Sequence, residues 1–205
     1  MARKWLRERR RDYYYRLAKK EQYRSRASYK LMYIQERYGI IREGDLVVDL
    51  GCAPGGWLQV AKELVGDTGF VFGIDLQEIE PLEGVVFIRG NFLREETREK
   101  LKNAIVNASG KDKVDVVLSD MSPNISGNYS IDHARSVELV TNAFEFACQI
   151  LARGGNFVAK VFQGDMYEGL LRRFSAKFEL VKGYKSDASR KSSSEIYIVC
   201  KGYLP

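Results

Sequence analysis

The 205-residue chain is poor in cysteine and histidine and lacks any long apolar run. Its three cysteines, Cys52, Cys148 and Cys200, stand far apart with no CxxC pair. That excludes a disulfide framework and a thiolate zinc site and leaves them as small buried hydrophobes. The single histidine, His133, falls where the pattern starts a helix; it builds no histidine constellation and reads as structural or surface, and no metal is expected. No stretch approaches the roughly 20 apolar residues that cross a bilayer, and the Arg-rich amino terminus has no apolar core of a secretory signal. The expected location is the cytoplasm. Repeats, low-complexity tracts and an interdomain linker are missing too. With 45% hydrophobic residues, residues 1–205 are expected to form one domain, acting as a monomer.

What is present begins with an uneven charge. Residues 1–43 hold 14 Arg or Lys against 5 Asp or Glu, a net of +9 in a chain of net +6, so the remainder carries −3. A basic segment on a mildly acidic body is the electrostatic footprint of a polyanion partner, although a solvated helical face gives the same composition. Tyr13, Tyr14, Tyr15, Tyr23 and Tyr29 are interleaved with it as stacking or packing surfaces. The first 20 or so residues read as a charged helix or arm. Over 25–38, Ala27, Leu31, Ile34 and Tyr38 recur at helical spacing until Gly39 ends the pattern.

Beyond this segment, apolar β-branched runs alternate with longer amphipathic stretches. The pattern predicts strands near 46–50, 70–74, 85–88, 114–119, 155–161, 178–184 and 195–201, and helices near 56–65, 93–108, 132–152 and 166–175. Such alternation predicts an α/β sandwich around a mostly parallel sheet, and two final strands without an intervening helix predict an antiparallel hairpin. Residues 121–131, rich in Ser, Asn and Gly, read as a functional loop past a strand end, where open α/β sheets bind ligands.

The run Val47-Val48-Asp49-Leu50-Gly51-Cys52-Ala53-Pro54-Gly55-Gly56-Trp57 is a strand, a glycine-rich turn and a helix start. Gly51, Gly55 and Gly56 carry no side chain to block a ligand on the backbone, and the new helix offers free amides. Ala53 stands where a dinucleotide turn needs its second glycine, which disfavours a nicotinamide oxidoreductase. About 18 residues on, Val71-Phe72-Gly73-Ile74-Asp75 ends a second strand on a carboxylate suited to both ribose hydroxyls of a nucleoside. Packing glycines and a turn-capping Asp75 are the bland alternative.

Five short segments in order carry a resemblance. They are Ser25-Arg26-Ala27-Ser28-Tyr29-Lys30-Leu31, Asp49 to Trp57, Ser119-Asp120-Met121-Ser122-Pro123-Asn124, Val158-Ala159-Lys160-Val161-Phe162-Gln163-Gly164 and Ser192-Ser193-Ser194-Glu195-Ile196-Tyr197. Together they resemble the FtsJ/RrmJ-type ribose 2′-O-methyltransferases of ribosomal RNA nearly end to end. The resemblance implies a Rossmann-like, seven-stranded methyltransferase fold with an antiparallel last strand and helices on both faces. It implies S-adenosylmethionine as cofactor and a Lys-Asp-Lys-Glu tetrad that falls on Lys30, Asp120, Lys160 and Glu195. It places cofactor contacts at Gly55, Trp57, Asp75 and Asp120, and at an acidic position near the adenine that is Asn91 here, which keeps a carbonyl acceptor and adds an amide donor.

Methyl transfer from a sulfonium to a ribose oxygen requires in-line positioning and loss of the hydroxyl proton. Lys160, at a strand end, is the candidate proton acceptor. An ordinary lysine titrates near 10.4; burial, Lys30 and the sulfonium push Lys160 toward neutrality, whereas Asp120 and Glu195 favour the charged amine. Charged, it would orient the hydroxyl and stabilise oxyanion charge instead. Asp120 would hold Lys160 near the transferred methyl, while Lys30 and Glu195 orient the ribose. The resemblance points first to a uridine of large-subunit rRNA, with tRNA anticodon loops as the alternative substrate and a noncatalytic RNA-binding assembly factor as the rival. Segment 1–43 then reads as an RNA-binding extension, with Arg3, Lys4, Arg24 and Arg26 on phosphates and a steep salt dependence.

Overall fold

The computed structural model describes residues 23–185 and 193–205. The expectations for Arg3, Lys4, the charged helix or arm before residue 20, and Tyr13 to Tyr15 lie outside the described residues.

Seven strands form one sheet: β1 (Leu46–Leu50), β2 (Phe70–Asp75), β3 (Val85–Arg89), β4 (Val114–Ser119), β5 (Leu151–Phe162), β6 (Phe178–Tyr184) and β7 (Glu195–Tyr203). Their spatial order is β3-β2-β1-β4-β5-β7-β6. Neighbours from β3 to β5 are parallel, and β7 runs antiparallel between β5 and β6. The expected antiparallel pairing of the last two strands is therefore present, but β7 is inserted into the sheet instead of closing its edge. Every residue of β1 is buried, as a strand covered on both faces requires, which is why these strands read as continuous apolar runs.

Helices α1 (Ala27–Tyr38) and α2 (Gly56–Val65) cover one face, and α3 (Glu95–Ser109), α4 (Tyr129–Ile150) and α5 (Tyr167–Ser175) the other. Two cores result, because alternate residues of each strand point to opposite faces. Leu31, Ile34, Trp57, Leu58 and Ala61 pack on Val47, Val116 and Val158. Leu101, Ile105, Phe144 and Phe174 pack on Val48, Phe72 and Phe157. The basic 1–43 segment is thus partly structural: Leu31, Ile34, Ile40 and Ile41 are core residues. Tyr29 is buried, and Tyr23 donates its hydroxyl to Glu63 Oε2 at 2.6 Å, so these two tyrosines serve packing.

Two boundaries differ from the sequence pattern by more than two residues. Helix α4 starts at Tyr129, three residues before the predicted 132, because the Asn128 side chain accepts hydrogen bonds from the Ser130 and Ile131 amides and caps it there. Strand β5 begins at Leu151, and its pairing with β4 skips from Leu151 to Asn156, a bulge that absorbs Gly154 and Gly155.

The second core is closed by an aromatic cluster in which Phe174 stacks on Phe144, with centroids 3.9 Å apart, and meets Phe157 edge-on. Phe174 is completely buried, so Phe174→Ala is expected to lower unfolding free energy by about 3–5 kcal/mol. Urea denaturation checks this; a loss below about 1 kcal/mol would show that α5 is held by other contacts.

Candidate active site

Parallel strands β1 to β5 all end along one edge of the sheet, and antiparallel β7 begins there. The chain order also reverses at this edge, since β1 lies between β2 and β4, the arrangement at which open α/β sheets bind ligands. Register does the positioning: Lys160 pairs with Tyr197, and Phe162 with Glu195. A strand running with its neighbours would have carried Glu195 to the opposite edge.

The structure brings all four tetrad residues together. Lys160 is buried at the end of β5, and its ammonium nitrogen donates to the Asp120 backbone carbonyl at 2.8 Å. It also lies 3.3 Å from Asp120 Oδ1 and 3.3 Å from Glu195 Oε1. The other oxygen of Glu195 accepts from Lys30 Nζ at 2.8 Å, reaching in from α1. Burial alone would raise the Glu195 carboxyl, but the Lys160 charge and the Lys30 hydrogen bond hold it below the usual carboxylate value. Tyr197 was not assigned from sequence, yet its hydroxyl donates to Asp120 Oδ1 at 2.6 Å. Its ring packs on Trp57 and lies 5.6 Å below Lys30 Nζ. Burial, then the Asp120 charge, push the Tyr197 phenol well up, so it stays a donor. The two-residue period of a strand, which puts Glu195 and Tyr197 on one face, is the signal that could have found it.

The glycine turn follows β1. Gly51 and Gly55 take φ of +72° and +106°, which side-chain-bearing residues rarely adopt. Asp75 Oδ2 accepts from the Ala53 amide at 2.9 Å and Oδ1 from the Gln77 amide at 2.8 Å, so this carboxylate shapes the turn while retaining lone pairs for a ligand. Asn91, just past β3, uses its side-chain oxygen on the Leu93 amide at 2.9 Å. Beneath the turn lies Asp49, 1% exposed, with neither carboxylate oxygen hydrogen-bonded to any described residue. Burial first, then the charges of Asp120 and Asp75, raise its carboxyl well above the ordinary value. The sequence signal was a carboxylate in the middle of an otherwise apolar strand.

Three expected contacts sit differently. Trp57 faces the core, its indole N–H donating to Ala27 O at 2.7 Å. Gly56 serves helix packing: a Cβ there would collide with Ser25 and Ser28, and Ser28 Oγ donates to Gly56 O at 3.0 Å. Arg24 spends its guanidinium on backbone carbonyls, Nη1 on Pro54 (3.3 Å) and Glu80 (2.5 Å), and Nη2 on Pro81 (2.9 Å). Arg26 is exposed. The loop 121–131 leaves β4 at Asp120 and is tied to α4 by Asp132, which accepts from the Ser126 amide and hydroxyl and the Gly127 amide.

Among the described residues no His, Cys, Asp or Glu cluster is arranged to ligate a metal, and no helix is long and apolar enough to cross a membrane.

A raised carboxyl stabilises the fold below its unfolded value, and that stability is lost as pH climbs toward the folded value. The ligand-free protein should therefore lose stability through Asp49 as pH rises from about 4. Asp49→Asn is expected to raise Tm at pH 8 by ~3 °C or more, about 1 kcal/mol in a chain of this size, and to change it little at pH 4. Equal Tm shifts at both pH values would exclude a buried neutral acid.

The FtsJ-like methyltransferase family model matches residues 23–203. Over 202 residues the chain is 54% identical to the ribosomal RNA large subunit methyltransferase E of Methanocaldococcus jannaschii, spanning 98% of this chain and 82% of that protein. To the protein of the same name from Methanosarcina barkeri it is 55% identical over 195 residues, 95% of this chain and 72% of the relative. A Plasmodium falciparum structure described as a ribosomal RNA methyltransferase is similar with a TM-score of 0.77 and 30% identity, covering 89% of this chain and 99% of that one. The tetrad edge, the glycine turn and this near end-to-end similarity agree, and the chain belongs to the FtsJ-like methyltransferase family.

Proposed function

We propose that the protein transfers a methyl group from S-adenosylmethionine to the 2′-hydroxyl of a ribose in large-subunit rRNA, with a uridine as the first target. The observation that carries this reading is the buried Lys160 amine, set between Asp120 and Glu195 beside a glycine turn. The names of the relatives support rRNA as the substrate.

Asp49 supplies the test of fit for the cofactor. A buried carboxyl without a partner, flanked electrostatically by Asp75 and Asp120, suits a ligand that carries positive charge, and S-adenosylmethionine has a sulfonium and an α-ammonium. Gly51 and Gly55 let the backbone approach it, Asp75 takes ribose hydroxyls and Asn91 the adenine edge. Gly56 and Trp57 contribute only main-chain amides at the start of α2. When bound, the cofactor supplies an electrophilic methyl group.

The chain's own residues handle the acceptor. Lys160 faces the 2′-oxygen and, having given up a proton to solvent, takes up the hydroxyl proton as the new bond forms; Asp120 and Glu195, each 3.3 Å away, stabilise the ammonium that results. Asp120 is held for this by Tyr197. Lys30, fixed on Glu195, orients the ribose. Residues 1–43 form the RNA-binding extension of this unit, in which Arg26 meets phosphate. Arg24 acts differently, bracing the glycine turn against the loop after β2.

With radiolabelled S-adenosylmethionine, unmethylated ribosomal subunits, naked rRNA and total tRNA, label is expected in large-subunit rRNA at a 2′-oxygen. Lys160→Ala and Asp120→Ala should each lower the rate at least about 100-fold, and Lys160→Ala should still bind cofactor. Label confined to tRNA would move the substrate, and cofactor binding with no transfer to any RNA would leave a noncatalytic RNA-binding protein.

A second comparison separates the two arginines. Arg26→Glu should weaken RNA binding and reduce the slope of log affinity against log salt by about 1. Arg24→Ala should weaken cofactor binding with that slope unchanged; the reverse pattern would return Arg24 to the phosphate contacts.

A further inference from the structure

Ten large apolar side chains are well exposed among the described residues, and four of them, Ile125, Tyr129, Ile131 and Met166, lie on the two segments that leave β4 and β5 at the tetrad edge. Tyr129 is 60% exposed, Ile125 64% and Met166 51%. Exposed apolar surface concentrated beside a site, and unexplained by the core, marks a contact surface.

The surface is rigidly built. Tyr129 donates its hydroxyl to Gln163 O at 2.5 Å, three residues past Lys160, and its ring runs parallel to the His133 imidazole, 11° between planes. His133 is buried; Nδ1 lies 3.0 Å from Phe162 O, and Nε2 accepts from the Met166 amide at 3.2 Å. Gly164 presses so closely on the same imidazole that a Cβ would come within 2.7 Å of three ring atoms. Tyr129 and Met166 are thereby fixed to one buried histidine and, through it, to the end of β5. An aromatic ring with its hydroxyl already satisfied by backbone has only its face left to offer.

We propose that Tyr129 and Met166 form the platform on which the base of the target nucleotide stacks while Lys160 addresses its ribose. This rests on the RNA methylation reading above and says where on the protein the base lands. Three observations select a base as the occupant. The patch is continuous with the residues that meet the ribose, through Gln163 and Phe162. Exposed Asp165 and Glu168 flank Met166 and repel phosphate, whereas an uncharged base face tolerates them. Exposed Arg135, held by Asn124 O at 3.2 Å, provides a cation six residues past Tyr129 on the same helix for the backbone that must continue beyond an unstacked nucleotide. Aromatic stacking of splayed-out bases is the usual way that proteins hold single nucleotides of RNA.

The test uses the full chain and a short RNA carrying the mapped target ribose, with its base or abasic. Tyr129→Ala is expected to lower kcat/KM about 10- to 100-fold on the intact RNA. It should do so chiefly through KM, with cofactor affinity and Tm unchanged. Tyr129→Phe, which keeps the ring and loses the Gln163 bond, should stay within about 3-fold of the parent, since a ring face stacks with or without the hydroxyl. On abasic RNA the Tyr129→Ala penalty should vanish, because a double-mutant cycle leaves no pair to break. A penalty of the same size on abasic RNA, or equal losses from Phe and Ala, would overturn the platform and leave Tyr129 as a loop brace. Failure of the parent protein to label any RNA ribose would instead sink the methylation reading itself.

Discussion

A lysine ammonium that is buried has to be surrounded by acceptors, because an unpaired buried charge costs several kcal/mol. Lys160 meets that demand with one backbone carbonyl and two carboxylates, and the geometry of the whole edge follows from supplying them. Asp120 comes from the end of parallel β4, so it needs no special device. Glu195 needs β7 to be reversed and inserted beside β5, which is the one departure from a parallel sheet next to the site. Lys30 then balances the second carboxylate from the helix layer. The four charges cancel among themselves, so the net charge left over at this edge comes from Asp75 on the glycine-turn side, with Asp49 beneath it pushed by burial toward its neutral form in the ligand-free protein. In the proposed reaction that is the side where a cationic methyl donor sits, and the tetrad itself carries no net charge to oppose it.

The amino-terminal segment is joined to this machinery more tightly than its charge suggests. Helix α1 presents Lys30 to Glu195, receives the Trp57 indole at Ala27 O, and presses Ser28 on Gly56, beside Ser25 from the residues just before it. Arg24, just before it, bridges the turn at Pro54 and the loop at Glu80 and Pro81. A displacement of α1 would therefore move a tetrad lysine and the glycine turn together. The proposed RNA extension and cofactor site are consequently one mechanical unit at their junction.

Much of this was legible in the sequence, for identifiable reasons. The strands buried on both faces could be read because apolar runs such as Leu46–Leu50, broken only by Asp49, have no other use in a chain of this composition. The tetrad positions were readable only as an ordered set, since each residue alone is ordinary, and the structure brings them within 3.3 Å of one another in sequence-distant pairs. The surroundings were less legible. Trp57, Gly56 and Arg24 all looked like ligand contacts, yet each also engages a backbone or side-chain partner 28 to 57 residues away. Nothing local announces such a partner. Asn128 is the opposite case: its capping role was written in the residue type, but the weaker apolar period of the first helical turn masked it.

The lone histidine shows how a residue without chemistry can still govern a reaction site. Phe162 O can only accept, so Nδ1 must carry the proton; the Met166 N–H can only donate, so Nε2 must be bare. Both bonds exist together only in the neutral Nδ1–H tautomer. The buried imidazole is thus committed at both nitrogens, which rules it out as a proton carrier for the ribose hydroxyl and leaves that task to Lys160. Its neighbour Asp132 is committed in the same way to Ser126 and Gly127. The first turn of α4 therefore fixes the segments leaving both β4 and β5, one through a carboxylate and the other through an imidazole. Those segments carry Asp120 and follow Lys160 respectively. The amine and the carboxylate it must face are thus held from behind by a single helix start, which is a more rigid arrangement than two independent loops could give.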